Sequence, residues 1–155
     1  MMIINYPTFF KTRPSIKLQD PLQKFLGTFQ DGIVEFSYLE VVKNAGHSCP
    51  DVTGAYLMTL KALKALYKDE LAVRGEIKAS FKGSIKFERV DTGEMVIANY
   101  DLSSIPIDPK QDELMSKILN EEATVSEEID FEVLWQHRVE KIFNHVSEVV
   151  EVVKV

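Results

Sequence analysis

Apolar residues keep a helical period from Leu22 to about Leu66, interrupted by one short extended run. They alternate with a period of two between Gly75 and Tyr100, then return to a helical period as far as Val146. Asp20 before Pro21 reads as an N-cap with proline at the first helical position, and Leu22, Phe25, Leu26 and Phe29 follow at helical spacing. A first helix is therefore expected to end near Asp31-Gly32. Ile33 to Phe36 is extended. Ser37 and Glu40 stand at capping-box spacing, which predicts a second helix through Leu39, Val41 and Val42 that stops at Gly46. Pro50 is placed for the first turn of a third helix, from Pro50 to about Lys68. Its many apolar residues leave only Lys61, Lys64 and Lys68 as a solvated stripe, so this helix is expected to be central and packed on several sides.

From Gly75 onward, Ile77, Ala79 and Phe81 alternate with polar residues, as do Ile85 and Phe87 after the turn Lys82-Gly83-Ser84. Asp91-Thr92-Gly93 turns the chain again, and Met95 to Tyr100 completes a meander. Asp108-Pro109 starts a further helix to about Asn120. Thr124 and Glu127 form a second capping box, which opens a last long helix to about Val146. Its buried stripe is Phe131, Leu134, Trp135, Val139, Ile142, Phe143 and Val146. The valine-rich tail from Val149 to Val155 is expected to add an edge strand, and an exposed edge of that kind invites a second copy, hence a homodimer. The pattern predicts one α+β domain spanning residues 1–155, with a small antiparallel sheet against a central buried helix and several surrounding helices.

Composition narrows the function. The chain has 155 residues, 45% hydrophobic and 27% charged, with a formal net charge of −6. No long basic cluster offsets that charge, which argues against a nucleic-acid partner. No window approaches the ~18 apolar residues of a membrane span, and the start of the chain, Met1-Met2-Ile3-Ile4-Asn5-Tyr6-Pro7, lacks the features of a signal peptide. Cys49 is the only cysteine, so no intramolecular disulfide forms and a reducing cytoplasm is the expected compartment.

The residues richest in chemistry are in Gly46-His47-Ser48-Cys49-Pro50. His47 and Cys49 are two apart, so an extended turn points both to one side, as a shared metal ion requires. Imidazole and thiolate both suit zinc or another divalent transition metal, and the helix N-terminus beyond Pro50 favours the thiolate. Zinc wants three or four protein ligands, so others must come from elsewhere. Asp51, His137 and His145 are candidates, although Asp51 also reads as a first-turn carboxylate and the histidines as surface residues. Equally, Cys49 reads as a small buried hydrophobe beside a histidine that satisfies the turn. Walker, nucleophile-elbow, Cys-x-x-Cys and His-Glu-x-x-His motifs are absent, and Asp91, Glu94 and Asp101 read as solvated turn carboxylates.

The block from Gly46 to Pro50, continuing through Gly54-Ala55-Tyr56, resembles the FmdE-like family, named for a component of formylmethanofuran dehydrogenase. Asp91-Thr92-Gly93-Glu94, Leu134-Trp135-Gln136 and Arg138-Val139 support the resemblance, which covers roughly residues 20 to 147. It implies an α+β core domain, often dimeric, whose cleft holds a metal or an active site at His47 and Cys49. It speaks to fold and site more than to a reaction. The sequence departs from that family in having only Lys82-Gly83-Ser84 where members carry a longer Gly- and Thr-rich segment, and in lacking a C-terminal zinc-finger module. Three readings follow. In the first, His47 and Cys49 ligate zinc, and Asp51 assists proton transfer for an unknown small-molecule ligand. In the second, Cys49 is a metal-independent nucleophile or redox thiol paired with His47. In the third, the chain is a non-catalytic binding or assembly component whose turn is structural.

Overall fold

The computed structural model describes residues 5–155; residues 1–4, part of the stretch read as lacking a signal peptide, lie outside the described residues. A 3-10 turn at Thr8–Thr12 leads into β1 (Ile16–Gln19), α1 (Pro21–Phe25), β2 (Ile33–Phe36), α2 (Tyr38–Ala45) and α3 (Pro50–Tyr67). A short β3 (Ala72–Val73) precedes the meander of β4 (Ile77–Lys82), β5 (Ser84–Arg89) and β6 (Met95–Tyr100). After it come α4 (Pro109–Leu119), α5 (Val125–Asn144), α6 (Val146–Val149) and β7 (Val150–Lys154).

The α+β architecture is as the pattern predicts, with α3 at its centre. This helix packs against β6 and β7 on one side and against α5 and α2 on others. Tyr56, Leu57, Met58, Ala62, Leu66 and Tyr67 are all buried, and together they join it to the main core. The three-lysine stripe is only partly solvated: Lys61 is half-buried, and its Nζ donates to the Val150 carbonyl at 2.7 Å, tying α3 to the start of β7. The long stem of a lysine can run along apolar surface while its head finds a polar partner, so an amphipathic stripe overstates exposure here.

The four-stranded antiparallel sheet has the order β4-β5-β6-β7, with Val96 opposite Lys154 and Tyr100 opposite Val150, so the valine-rich tail is an edge strand, as its composition predicts. A second, three-stranded sheet falls outside the predicted pattern. In it β1 lies between β2, which is antiparallel to it, and β3, which is parallel. Strands of four and two residues hold too few positions to display a period of two.

The first helix is also shorter than its spacing suggests. Asp20 caps α1 by accepting the Gln23 amide, but the helix ends at Phe25, and Gly27 and Gly32 adopt left-handed backbone at φ 72° and 71°. Leu22, Phe25 and Leu26 are 62%, 83% and 63% exposed, so the helical spacing there has no core to face. Helical stability in proteins comes mainly from burying such a face, and without it the segment turns away after little more than a turn. Both capping boxes form as expected, Ser37 with Glu40 and Thr124 with Glu127. Among the described residues no helix is long and apolar enough to cross a membrane.

One close approach fixes α3 against the sheet. A Cβ on Gly54 would come closer to the edge of the Tyr100 ring than van der Waals contact allows, and the Tyr100 hydroxyl donates to the Pro50 carbonyl at 2.7 Å. Only glycine lets the Tyr100 ring of β6 approach the first turns of α3 this closely. Gly54→Ala is expected to cost about 1–3 kcal/mol through overpacking, seen as a lower urea midpoint. A Tyr100→Ala background should remove most of that penalty; an unchanged midpoint in the single variant would refute the close approach.

Candidate functional site

Gly46 to Pro50 forms a tight link between α2 and α3. Gly46 ends α2 in the left-handed region, with φ 86°, and its amide bonds the Val42 carbonyl. This conformation is open to glycine and costly for most side chains. Cys49 is extended and serves as the N-cap of α3, its Sγ accepting the Val52 amide at 3.4 Å while Pro50 takes the first helical position. The sulfur occupies the place usually taken by a serine or aspartate oxygen.

The turn is anchored from behind by Tyr38, the first residue of α2. Its ring is fully buried among Phe10, Tyr56 and Phe143, with centroid separations of 4.9, 5.3 and 4.7 Å and near-perpendicular ring planes. Edge-to-face pairs of this kind contribute about 0.5–1.5 kcal/mol each beyond area burial. At the polar end, the Tyr38 hydroxyl lies 3.0 Å from Ser48 Oγ and 2.8 Å from Thr53 Oγ1. Thr53 donates to the Cys49 carbonyl, and Ser48 Oγ lies 3.2 Å from the Gln136 side-chain amide. Burial raises the Tyr38 pKa above its ordinary value, partly opposed by these two hydroxyl contacts.

The three hydroxyls of Ser48, Tyr38 and Thr53 offer one proton each, whereas their contacts with one another, Gln136 and the Cys49 carbonyl number four. Ser48 donates to Gln136 Oε1 at 3.2 Å and Thr53 to the Cys49 carbonyl, so the single Tyr38 proton serves one of the two hydroxyls it touches. Trp135 adds a fifth tie, its indole N–H donating to the Ser48 carbonyl at 2.8 Å.

The candidate ligands are not gathered. His47 and Asp51 are exposed, Cys49 is 8% exposed, and His137 and His145 are exposed on and just beyond α5. His145 Nδ1 lies 2.8 Å from the Lys141 carbonyl of its own helix. Among the described residues no three His, Cys, Asp or Glu side chains come together in a group able to hold a metal. A single chain therefore offers His47 and Cys49 at most, and that donor set does not fit a zinc ion by itself. The turn carboxylates are otherwise engaged. Asp91 is forked by Arg89, which holds its pKa down, and Asp101 accepts the Ser103 amide and hydroxyl, which lowers its pKa as well.

Beside the turn lies a feature that residue spacing does not reveal. Pro7, Met115 of α4, and Phe131, Glu132, Trp135 and Gln136 of α5 line a cleft of about 400 Å³. Trp135 and Gln136 are the two residues that reach back to Ser48, so the cleft wall and the turn are one hydrogen-bonded unit. The apolar period assigns Phe131 and Trp135 to the buried stripe of the last helix; both are half-buried and form the cleft wall. The available signal is the thinning of apolar residues on the neighbouring elements that would have to cover them.

Comparison with protein-family models, curated proteins and solved structures gives no match to this chain.

Tyr38→Phe keeps the ring and breaks the hydroxyl relay. It should cost about 1–3 kcal/mol in denaturant unfolding, because Ser48 and Thr53 lose their shared partner. Stability should also decline at high pH. Tyr56, whose hydroxyl donates to the Pro14 carbonyl at 2.6 Å, has its pKa pushed up by burial to about 12, whereas an unfolded tyrosine ionises near ~10. The folded state thus holds its proton longer, and the contribution is complete below about pH 10 and lost as pH rises through 12. Tyr56→Phe should flatten that alkaline decline in thermal midpoint; an equally steep decline in the variant would refute the assignment.

Proposed function

We propose that this chain is a non-catalytic binding and assembly module of the FmdE-like type, in which the Gly46–Pro50 turn is structural and the adjoining cleft receives an apolar group. The observation that carries this reading is the pairing of a used-up turn with an open cleft. Cys49 caps α3 and is 8% exposed, and Ser48 is held by Tyr38, Gln136 and Trp135. The cleft beside it has the size and composition of a ligand site: about 400 Å³, aromatic and aliphatic walls, and two polar groups, Glu132 and Gln136, at hand to orient what enters. Assembly with a second copy of the chain belongs to the same reading.

A second reading is favoured by the exposure of His47 at the open end of the turn. In it His47 and Cys49 ligate zinc or another divalent transition metal, and the remaining donors come from a second copy of the chain. Elemental analysis of protein purified without added metal, set beside a His47→Ala, Cys49→Ala double variant, tests it. Stoichiometric metal that the variant loses supports ligation, and metal-free protein after incubation with zinc rules it out.

The binding reading is tested with Nile red, an uncharged dye that fluoresces in apolar surroundings. The dilute protein should take up the dye saturably, and Phe131→Glu should weaken uptake about tenfold or more while leaving the circular-dichroism spectrum unchanged. Absence of saturable uptake by the native chain would overturn the reading.

A further inference from the structure

Strand β4 is the outer strand of the meander. Only β5 pairs with it, and five of its six residues are exposed, Phe81 to 75%. The Val90 amide donates to the Glu76 carbonyl at 2.8 Å, which sets the phase of the β4–β5 ladder. Bonding direction alternates along an antiparallel strand, so the amides and carbonyls of Ile77, Ala79 and Phe81 point away from β5. A free edge of this kind is a template for another strand.

The side chains divide by face. Ile77, Ala79 and Phe81 lie on the face that carries Phe87, which is 4% exposed, and Glu76, Lys78, Ser80 and Lys82 lie on the other. Ile77 packs against the core, whereas Phe81 overhangs it. Lys78 pairs with Glu88 at 3.8 Å; Glu76 and Lys82 are exposed and form no ion pair among the described residues.

Lysines on an edge strand ordinarily keep copies apart, because like charges meet across the pair. Two copies of one strand that pair antiparallel about a two-fold axis normal to the sheet bring only same-face residues opposite, so the axis passes through a residue. An axis at Lys78 sets that lysine against itself, and one at Ser80 sets Lys78 against Lys82. An axis nearer either end leaves most of the strand unpaired. An axis at Ala79 escapes all of these: Phe81 lies opposite the partner's Ile77, Lys82 opposite the partner's Glu76, and Lys78 opposite the partner's Ser80.

Resting on the reading of the chain as an assembly module, and not on its cleft, we propose that a second copy adds along the β4 edge, antiparallel and centred on Ala79, so that the sheet continues across the pair. Each copy's Phe81 covers the partner's Ile77, and ion pairs between Lys82 and the partner's Glu76 close both ends. The β7 edge fits less well. Its Val150 carbonyl is already held by Lys61, and Glu151 and Lys154 lie on opposite faces, so no such register sets one against the other.

Sedimentation velocity over a concentration series tests the contact. The native chain should dimerise in the micromolar range. Ala79→Pro removes an amide that points out of the sheet, so it should keep the circular-dichroism spectrum and abolish the dimer. Glu76→Lys and Lys82→Glu should each weaken dimerisation about fivefold or more, since each sets like charges opposite at both ends. Both changes in one chain, or an equimolar mixture of the single variants, should restore it, which misfolded variants would not do. A native chain that stays monomeric, a dimer that Ala79→Pro leaves intact (as pairing through β7 would), or single variants that match the native chain or that no combination rescues would each overturn the proposal. Nile red keeps the two readings apart: dye uptake by a monomeric native chain refutes the β4 contact alone, and a β4 dimer that takes up no dye refutes the cleft alone.

Discussion

The structure depends on one buried side chain that serves two environments at once. The Tyr38 ring sits at the centre of an aromatic cluster drawn from the N-terminal 3-10 turn, α3 and α5, and its hydroxyl ends in the link between α2 and α3. A phenylalanine would fill the same space and leave the link unanchored; a smaller polar residue would anchor the link and leave a cavity. Because the hydroxyl must be bonded to be buried, the positions of Ser48 and Thr53 are dictated by the aromatic core. The first turn of α3 is thereby set against the sheet, where Gly54 admits Tyr100. Packing and polar satisfaction thus act on the same few residues, and the turn that carries His47 and Cys49 inherits its shape from both.

The same chain of bonds extends outward to the cleft. Gln136 and Trp135 are held on one side by Ser48, and on the other they form the cleft wall. Farther along α5, Val139, Ile142 and Phe143 are buried in the core, so the helix has a fully packed half and an overhanging half. The overhanging half carries apolar side chains on its uncovered face together with a concentration of carboxylates. Each feature would be ordinary by itself: exposed apolar residues are common on protein surfaces, and acidic helices are soluble. Their coincidence on one face, beside a preformed cleft, is what underlies the binding role proposed for it.

Much of the fold is legible where local chemistry and tertiary environment agree. The capping boxes at Ser37 and Thr124, the proline starts at Pro21, Pro50 and Pro109, and the three-strand meander all form where the pattern places them. Legibility ends where tertiary context decides. Leu22, Phe25, Leu26 and Phe29 have helical spacing but no surface to pack against, and the two-residue β3 exists only because β1 offers it a parallel edge. The site divides in the same way. The link at Gly46–Pro50 can be found from its glycine, cysteine and proline, whereas the partners of that link cannot. Tyr38, Thr53 and Gln136 come from three helices, and nothing in their local spacing marks them as neighbours. Residue type offers His137 and His145 as candidate ligands or surface residues; both are exposed, and the α5 side chains that bond the link are Gln136 and Trp135.

The short β4–β5 connection ties these threads together. Strands β4 and β5 close over Gly83 alone, at φ 77°. A glycine in that conformation allows a very tight return, which keeps the sheet in register to its tip. The consequence is physical as much as topological. A longer connection could fold back over Phe81 and bury it within its own molecule, whereas a single glycine leaves the ring in water, with Lys82 and Lys86 on the opposite face of the hairpin. Leaving the ring in water forgoes the roughly 1.5–3 kcal/mol that full burial of a phenylalanine contributes. The tight return over Gly83 thus fixes both the register of the β4–β5 tip and the exposure of Phe81.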